Sequence, residues 1–508
     1  MFLHRRCPEA STSRNLPRRL LPIATLIITC APGLAGSLDN QACSAERSGR
    51  PNVVLIMADD LRCELGCYGS PARTPNIDRL ASHGVKFRAA FCQQALCNPS
   101  RSSLLSGLRP DTLHLWCNSL HFRELRPDVA TLPEYFKRQG YVTRDVGKIF
   151  HNWHTRAKGD RQSWSAAEFL YYANHGDDRP LVSGPPPADL ATAPNCRRCE
   201  VPDEAYYDGR VADEAVRVLE EIKGQPFFLA VGFWKPHAPF NAPQKYWDLY
   251  DRDRLPPLDG RRPTGAPDVA FHDSRELRGA PPHQRDFTRD QAAEMRHGYF
   301  ANISYMDAQV GKVLAALERD KLTESTVIVF LSDHGYHLGE HTLWGKTSNF
   351  EFDAHVPLII APPGGQRAGE STDALVESLD LYPTLVELCG LPPAAGLEGK
   401  SLVPVLADPR ASVQPAAFTE HPRPAYYDRT PAGVPEAMGY SVRTARVRYT
   451  EWRAWSTGKL LGRECYDHPG DPAELHNVID SPPDPSALSQ AVALLHQQFP
   501  PDVPPAKR

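Results

Sequence analysis

The sequence lacks a strong net charge and, after its N-terminal segment, any long apolar run. Its formal net charge is −4 over 508 residues, so the chain has no overall field that would attract nucleic acid or an anionic membrane. No segment after Leu34 approaches the ~18 consecutive apolar residues of a membrane-spanning helix. These absences predict no nucleic-acid partner and no stable membrane span, and any affinity for anions must come from local clusters of cations.

The N-terminal segment has the pattern of a cleaved export signal. An arginine-rich start precedes the short apolar run from Leu20 to Leu34, which prolines interrupt and which small residues follow. We therefore predict a signal peptide over residues 1–37 and an exported protein, periplasmic or secreted, or lysosomal in a eukaryote. A lipoprotein site at Cys30 is the alternative, although Thr29 is larger than the glycine or alanine expected before a lipidated cysteine.

The cysteines lack the spacing of a zinc site. Cys196-Arg197-Arg198-Cys199 has no second cysteine pair at zinc-binding distance, and its proline-rich surroundings lack the strand and helix of a thioredoxin motif. A local disulfide or free thiols fit this pair better. The other cysteines that follow the signal are compatible with disulfides in an oxidising compartment, and their pairing stays open.

Helix and strand patterns alternate along most of the chain. Buried-strand patterns such as Asn52–Met57 and Phe227–Val231 are separated by helical patterns, including a long helix over Arg289–Arg319. This alternation predicts an α/β fold with a large sheet between helices. After Leu406 the pattern changes to apolar–polar alternation typical of antiparallel strands. We predict a large domain over 38–412 and a smaller α+β subdomain over 413–508.

Two of the apolar strands end in acidic residues. Asn52–Met57 runs into Asp59 and Asp60, and a second strand, Thr326–Ser332, ends in Asp333-His334. Open α/β sheets bind ligands at the carboxyl ends of their strands, and buried carboxylates are costly without a cation. One such acidic turn could be a helix cap, but two are better explained by a bound cation.

The stretch from Cys97 to Gly107 combines a thiol, a predicted helix start and an arginine. Asn98 suits the N-cap, Pro99 the first helical position and Gly107 the stop. Cys97 would then lie at the positive end of the helix dipole, and Arg101 would add donors for a tetrahedral oxyanion. The simpler alternative is a buried thiol beside a capped helix.

Three further segments join lysine or histidine to apolar neighbours. Lys148 precedes His151, Lys235 precedes His237, and Lys346 follows Trp344-Gly345. Each alone is better explained as a surface lysine or a hydrogen-bonded core histidine.

Together these motifs resemble the sulfatase family. Cys97-x-Pro99-Ser100-Arg101 resembles the signature in which a maturation enzyme oxidises the cysteine to Cα-formylglycine. The resemblance implies an alkaline-phosphatase-like fold with a large mixed sheet sandwiched by helices. It implies one divalent cation, calcium or alternatively magnesium, although many relatives carry asparagine at the position of His334. The implied metal ligands are Asp59, Asp60, Cys97, Asp333 and His334. The implied catalytic residues are Cys97, Arg101, Lys148, His151, His237 and Lys346.

Within the family, the sequence blocks around Lys148, His237, Asp333 and Tyr440 resemble those of the iduronate 2-sulfatases. The resemblance implies hydrolysis of a sulfate ester on a sulfated glycan, with a formylglycine-generating enzyme as maturation partner. A 2-O-sulfated uronate also carries a carboxylate, so we expect a further cation in the arginine-rich loops before Asp203 or before Arg289. Two alternatives stay open: a phosphonate or phosphate-ester hydrolase of the same fold, and an exported glycan-binding protein in which Cys97 is never oxidised.

Overall fold

The computed structural model describes residues 49–151, 155, 159–169, 196–281, 283–365 and 367–508, without the side chains of residues 196 and 197. The predicted signal peptide and most of the loop before Asp203 lie outside the described residues. Within them the strands are β1 Asn52–Asp59, β2 Val85–Phe91, β3 Val142–Gly147, β4 Cys196–Cys199, β5 Phe227–Pro236, β6 Phe240–Pro243, β7 Thr326–Ser332, β8 His337–Leu338, β9 Trp344–Gly345, β10 His355–Ala361, β11 Ser371–Thr372, β12 Val376–Glu377, β13 Ala416–Arg423, β14 Ala437–Thr444, β15 Val447–Ala454 and β16 Leu460–Asp467.

The α-helices of the described residues follow the same chain order. They are α1 Pro75–His83, α2 Cys97–Ser106, α3 Pro110–Leu113, α4 Phe122–Leu125, α5 Leu132–Arg138, α6 Tyr207–Ile222, α7 Gln244–Trp247, α8 Arg275–Arg278, α9 Arg289–Arg319, α10 Glu351–Ala354, α11 Leu381–Leu388, α12 Val403–Ala407 and α13 Pro485–Gln498. The bounds predicted for α9 are confirmed, and Thr288 and Gln291 form a capping box at its start.

The main sheet of the described residues is mixed and has the order β11-β2-β10-β7-β1-β5-β3, with β12 also paired to β2. Strand β1 runs parallel to both β5 and β7, and β3 runs parallel to β5. Strand β10 is antiparallel to its neighbours β7 and β2. The carboxyl ends of β1, β3, β5 and β7 therefore meet at one edge of the sheet.

Both faces of this sheet are buried under helices, as the continuous apolar strands predict. In β1, Val54 and Ile56 pack in one core cluster with residues of α6 and α9. Val53 and Leu55 point the other way, into a second cluster with residues of α2 and α11. The predicted α/β fold with a helix-covered mixed sheet is confirmed.

A second sheet follows in the C-terminal part. Strands β13, β14, β15 and β16 pair in sequence order, each antiparallel to the next. Helix α13 packs Ala491 and Leu495 against Tyr440 and Tyr449 of this sheet. The predicted change to antiparallel strands and a terminal helix is confirmed, and the domain boundaries after residues 37 and 412 stay predictions.

The start of helix α2 differs from the prediction. The helix begins at Cys97, with Leu96 as its N-cap residue, and Gly107 ends it in the left-handed conformation at φ 69°. Asn98 is not the cap, because its amide nitrogen donates to the carbonyls of Cys117 and Leu120 instead. These tertiary acceptors fix Asn98 inside the first turn, so the cap position moves towards the N-terminus.

Two predictions, on membrane-spanning helices and on cysteines, can be compared with the described residues. No helix among them is long and apolar enough to cross a bilayer. The described cysteines with free thiols are Cys63, Cys67, Cys92, Cys97, Cys117, Cys199, Cys389 and Cys465.

Candidate active site

The acidic ends of β1 and β7 lie side by side, as expected for parallel neighbours. Asp59 ends β1, and Asp60 follows in the left-handed conformation at φ 65°. The backbone N–H of Asp60 donates to the carboxylate of Asp333 over 3.2 Å. All three carboxylates are buried. The turn of Asp60 therefore places three acidic side chains at one point of the sheet edge.

Cys97 lies opposite these carboxylates, at the N-terminus of α2. Its Sγ is 3.6 Å from Asp59 Oδ1, 3.4 Å from His334 Nε2 and 3.6 Å from Lys148 Nζ. Burial raises the pKa of the Cys97 thiol, although Lys148 acts in the opposite direction. The residue expected to be the nucleophile is thus in contact with both acidic and basic groups.

Arg101 does not face an open pocket. Its guanidinium is fully buried and donates to Asp333 over 2.8 Å, to Asp59 over 3.4 Å and to the carbonyls of Lys148 and Ile149. Its contact with sulfate oxygens, which the resemblance implies, stays a prediction. In this structure Arg101 fixes the positions of the two carboxylates that flank Cys97.

Lys148 reaches the site because two strand ends approach each other closely. Gly147 ends β3 at φ 87°, and a Cβ on it would lie 2.1 Å from the carbonyl of Gly232 in β5, so only glycine fits there. The Lys148 ammonium then contacts Asp59 and lies 4.9 Å from the centre of the Trp234 ring.

The arrangement of donors fits a divalent cation. Ligand atoms of Asp59, Cys97, Asp333 and His334 lie within 4.8 Å of one another. His334 pairs its Nδ1 with the Gly335 carbonyl over 3.0 Å, so the tautomer protonated there leaves Nε2 facing the group. Burial, opposed by Lys346 and reinforced by Asp59, raises the pKa of Asp60 to about 8. A cation held by these hard carboxylate oxygens would offset that cost.

A cavity of about 500 Å³ opens above Cys97. The sequence-predicted residues on its wall are Cys97, His151, His237 and Lys346. The other lining residues were missed by the sequence reasoning: Asn118, Arg275, Glu276, Ala280, Tyr426 and Arg429. The arginine-rich loop before Arg289 was the available signal, since a further cation was expected there and it supplies Arg275, Glu276 and Ala280.

Lys346 and His237 form the polar wall of the cavity together with Glu276. Lys346 Nζ lies 3.0 Å from His237 Nε2 and 2.8 Å from Glu276 Oε1, and it also donates to both oxygens of Asp60 over 3.0 Å. Although burial acts against it, the negative charge of Asp60 and Glu276 holds the pKa of Lys346 well above its usual value. A charged lysine therefore lies beside the His237 ring.

Comparison with known proteins agrees with this geometry. The family model described as Sulfatase matches residues 51–391, and one described as N-sulphoglucosamine sulphohydrolase, C-terminal, matches residues 339–499. The chain is 35% identical to human iduronate 2-sulfatase in an alignment that covers 84% of this chain and 91% of that protein.

Solved structures share the fold. The phosphonate monoester hydrolase of Agrobacterium radiobacter superposes with a TM-score of 0.70 at 25% identity, covering 88% of this chain and 96% of that one. A 2-O GAG sulfatase superposes with a TM-score of 0.65 at 25% identity, covering 88% and 92%. The sulfatase model matches more than half of the chain, and the curated relative is matched over most of its length. The chain therefore belongs to the sulfatase family and is a sulfuric ester hydrolase.

Proposed function

We propose that the chain removes the sulfate from a 2-O-sulfated uronate of a sulfated glycan, with Cys97 oxidised to formylglycine as the nucleophile. The observation that carries the proposal is the position of Cys97. It lies at the floor of the cavity, within 3.6 Å of Asp59 and Lys148 and 3.4 Å of His334. A formylglycine-generating enzyme would be the maturation partner, and export to the periplasm or outside the cell is part of the proposal.

The contacts of Sγ mark where an oxygen of the hydrated aldehyde would lie. One hydroxyl of this geminal diol attacks sulfur and forms a sulfate ester on residue 97. Lys148 favours loss of the hydroxyl proton. An unmodified thiol is a poorer nucleophile here, because burial raises the pKa of Cys97 and keeps it protonated.

The leaving alcohol needs a proton, and the cavity wall offers it. His237 is the proposed general acid, and the Lys346 ammonium 3.0 Å from its Nε2 assists. His151, also on the cavity wall, is the proposed base that removes the proton of the second hydroxyl. That hydroxyl then expels sulfate and regenerates the aldehyde, which an ordinary serine or cysteine ester cannot do.

Calcium is the proposed cation, with magnesium as the alternative. Asp59, Asp60, Asp333, His334 and the oxygen at position 97 would hold it. When bound, it would supply positive charge to the sulfate oxygens. Arg101 keeps Asp59 and Asp333 in place through its hydrogen bonds to both carboxylates.

Two arginines on the cavity wall support the uronate assignment. Arg275 and Arg429 both lie against the ring of Tyr426, with guanidinium carbons 5.7 Å and 4.7 Å from its centre. Arg275 also pairs with Asp273 over 2.6 Å. We assign the recognition of the uronate carboxylate to these arginines, since guanidinium groups suit planar carboxylates.

Two measurements test the proposal. Peptide mass spectrometry across Cys97 should show formylglycine in active enzyme, and a wholly unmodified thiol in fully active enzyme would contradict it. The ratio kcat/KM should be higher for a uronate 2-sulfate disaccharide than for a glucosamine 6-sulfate or an aryl sulfate. A preference for glucosamine 6-sulfate would support sulfate ester hydrolysis and contradict the assignment of a 2-O-sulfated uronate as the substrate.

Phosphonate ester hydrolysis is the second candidate, favoured by the likeness to the phosphonate monoester hydrolase. It would use the same nucleophile and cation. Adding a phenyl phosphonate to the substrate panel separates the two, because a higher kcat/KM for the phosphonate would move the assignment to this candidate.

A further inference from the structure

Helix α9 carries a buried arginine, Arg296, that has no hydrogen-bonded or ion-paired partner among the described residues. Arg296 is 6% exposed, and it forms no hydrogen bond or ion pair with the part of the chain that the structure describes. Its Nε is buried and has no acceptor. A buried cation without a partner is costly, so such a residue points to a ligand that supplies the missing anion.

The acidic groups near Arg296 form ion pairs with another arginine. Glu340 and Glu64 act electrostatically on Arg296, yet both are paired with Arg62, over 3.0 Å and 2.9 Å. Burial lowers the pKa of Arg296 despite them. Arg62 is as deeply buried as Arg296 and also has a buried Nε without an acceptor, but its terminal nitrogens form ion pairs with Glu340 and Glu64. The fold can therefore supply anionic partners to a buried arginine here, and Arg296 lacks such an ion pair among the described residues.

Arg296 lines a second cavity of about 550 Å³, distinct from the one above Cys97. Arg252 and Arg289 also line it, and no described residue on its wall is acidic. Arg252 is paired with Asp290 over 3.0 Å. The remaining wall is apolar and includes the rings of Phe287 and Trp344 and the side chains of Leu255 and Leu258. Rings beside cationic donors are typical of sites for acidic sugars, whose apolar faces stack while their charged groups bond.

The two cavities are connected through the chain. Trp344 lines the second cavity, and Lys346, two residues further, lines the first. The segment that contributes Arg275, Glu276 and Ala280 to the first cavity contributes Phe287 and Arg289 to the second. Two residues span at most about 7 Å of backbone, so the walls of the two cavities lie close together between Trp344 and Lys346.

We propose that the second cavity binds an acidic group, sulfate or carboxylate, of a saccharide unit beyond the one that is hydrolysed. The assignment to a saccharide rests on the proposed function, whereas the anion site itself does not. Arg296 supplies the buried donor, Arg289 the outer charge, and Trp344 the stacking surface.

The main test compares Arg296→Met with wild type on two substrates. KM for a sulfated tetrasaccharide should rise about tenfold, the effect of one lost hydrogen bond to a charged group, while KM for the uronate 2-sulfate disaccharide stays unchanged. Arg296→Lys keeps the charge, so its KM for the tetrasaccharide should lie between the values of wild type and Arg296→Met. Arg319→Met changes a charge on the same helix, where Arg319 pairs with Glu220, and serves as the matched control with no effect on either KM.

A binding measurement tests the anion site without turnover. Sodium sulfate, compared with sodium chloride at equal ionic strength, should raise the Tm of wild type more than that of Arg296→Met. Without added sulfate, Arg296→Met should have a higher Tm than wild type, because the variant no longer buries an unpaired charge. If Arg296→Met loses the Tm increase from sulfate but keeps the tetrasaccharide KM of wild type, the ligand of the second cavity is a free inorganic anion and not a saccharide. If neither quantity changes, the proposal is wrong, whether or not the enzyme is a uronate sulfatase.

Discussion

Two buried groups of acidic and basic side chains in this molecule look alike by composition and differ in their charge balance. The first, the strand-end cluster, consists of Asp59, Asp60, Asp333 and His334. The second, the C-terminal cluster, consists of Glu351, Arg448, His468 and Glu474. In each cluster several ligand atoms lie within 4.8 Å of one another, so each has the outline of a metal site.

The C-terminal cluster provides its own cations. Arg448 donates to Glu474 over 2.7 Å and also to Glu351, and His468 lies 2.9 Å from Glu474. Although burial alone would raise it, the charge of Arg448 holds the pKa of Glu474 below its usual value. Both carboxylates are therefore stable as anions, and the cluster needs no metal.

The strand-end cluster does not balance in this way. The carboxylates of this site, Glu276 included, face the permanent cations Arg101, Lys148 and Lys346, and they are balanced only when His334 is protonated as well. Burial, opposed by Lys346 and reinforced by the charges of Asp59 and Glu276, raises the pKa of Asp60 to about 8. Acidic residues within reach of one another are thus a poor guide to metal binding, and the charge left over after ion pairing is a better one.

The largest expected effect concerns Cys97, the proposed nucleophile beside the strand-end cluster. Cys97→Ala should leave a folded protein with turnover reduced by at least about 10⁴-fold, because the nucleophile is lost. Cys389→Ala removes another buried free thiol, whose Sγ contacts the carbonyl of Pro51, and should keep full activity. Full turnover in the Cys97 variant would contradict the assignment.

Breaking the C-terminal cluster should cost stability and leave the metal content unchanged. Arg448→Met should lower the free energy of unfolding by about 3 kcal/mol, because the buried Glu474 and the partly buried Glu351 both lose their arginine partner. The folded-state pKa of Glu474 lies below the usual 4.5, so the stabilisation is present above that pH and is lost as pH falls.

Denaturant unfolding at neutral pH and below pH 4.5 measures this directly. The difference between Arg448→Met and wild type should narrow in acid. A difference that stays constant with pH would show that the ion pair is not its source.

Removing the cation should lower the stability that the strand-end cluster provides and leave the C-terminal cluster unchanged. Chelation should lower the free energy of unfolding by about 2.7 kcal/mol, if calcium had been present at a hundred times its Kd. Asp60→Asn removes the charge and tolerates the left-handed backbone, so it should lose both the bound calcium and this effect. Glu474→Gln is the control and should retain calcium. Elemental analysis that finds no divalent metal in active protein would reject the site.

The smallest expected effect concerns the substrate. Arg275→Gln or Arg429→Gln should lower kcat/KM for the uronate 2-sulfate disaccharide about tenfold, roughly 1.5 kcal/mol for one lost hydrogen bond to a charged group. An aryl sulfate, which has no carboxylate, should be unaffected. Equal losses on both substrates would assign these arginines to sulfate binding or to the structure of the cavity.

Local patterns predicted most of the elements that position the site. The continuous apolar strands Asn52–Asp59 and Thr326–Ser332 were recognisable because both faces are buried, and α9 because of its length and regular period. The cap of α2 was predicted wrongly, since Asn98 finds acceptors from a distant loop that no local pattern reveals.

The candidate residues around Cys97 were predicted as separate motifs, and the fold brings them together. Their charge balance was beyond the sequence, because it depends on which cations each carboxylate meets. Arg101 donates to Asp59 and Asp333, and Glu276 reaches Lys346 from the short helix α8, where the sequence patterns predict a loop.

The sequence by itself determined the order of strands and helices, the acidic strand ends and the signature around Cys97, because these depend on residues close together in the chain. Only the tertiary structure decided which buried charges are paired. Arg62 and Arg296 look alike in sequence, yet one bonds Glu340 and the other has no such partner in the described part of the chain. Pairing depends on distances between side chains far apart in the chain, and those distances exist only after the sheet and its loops have folded.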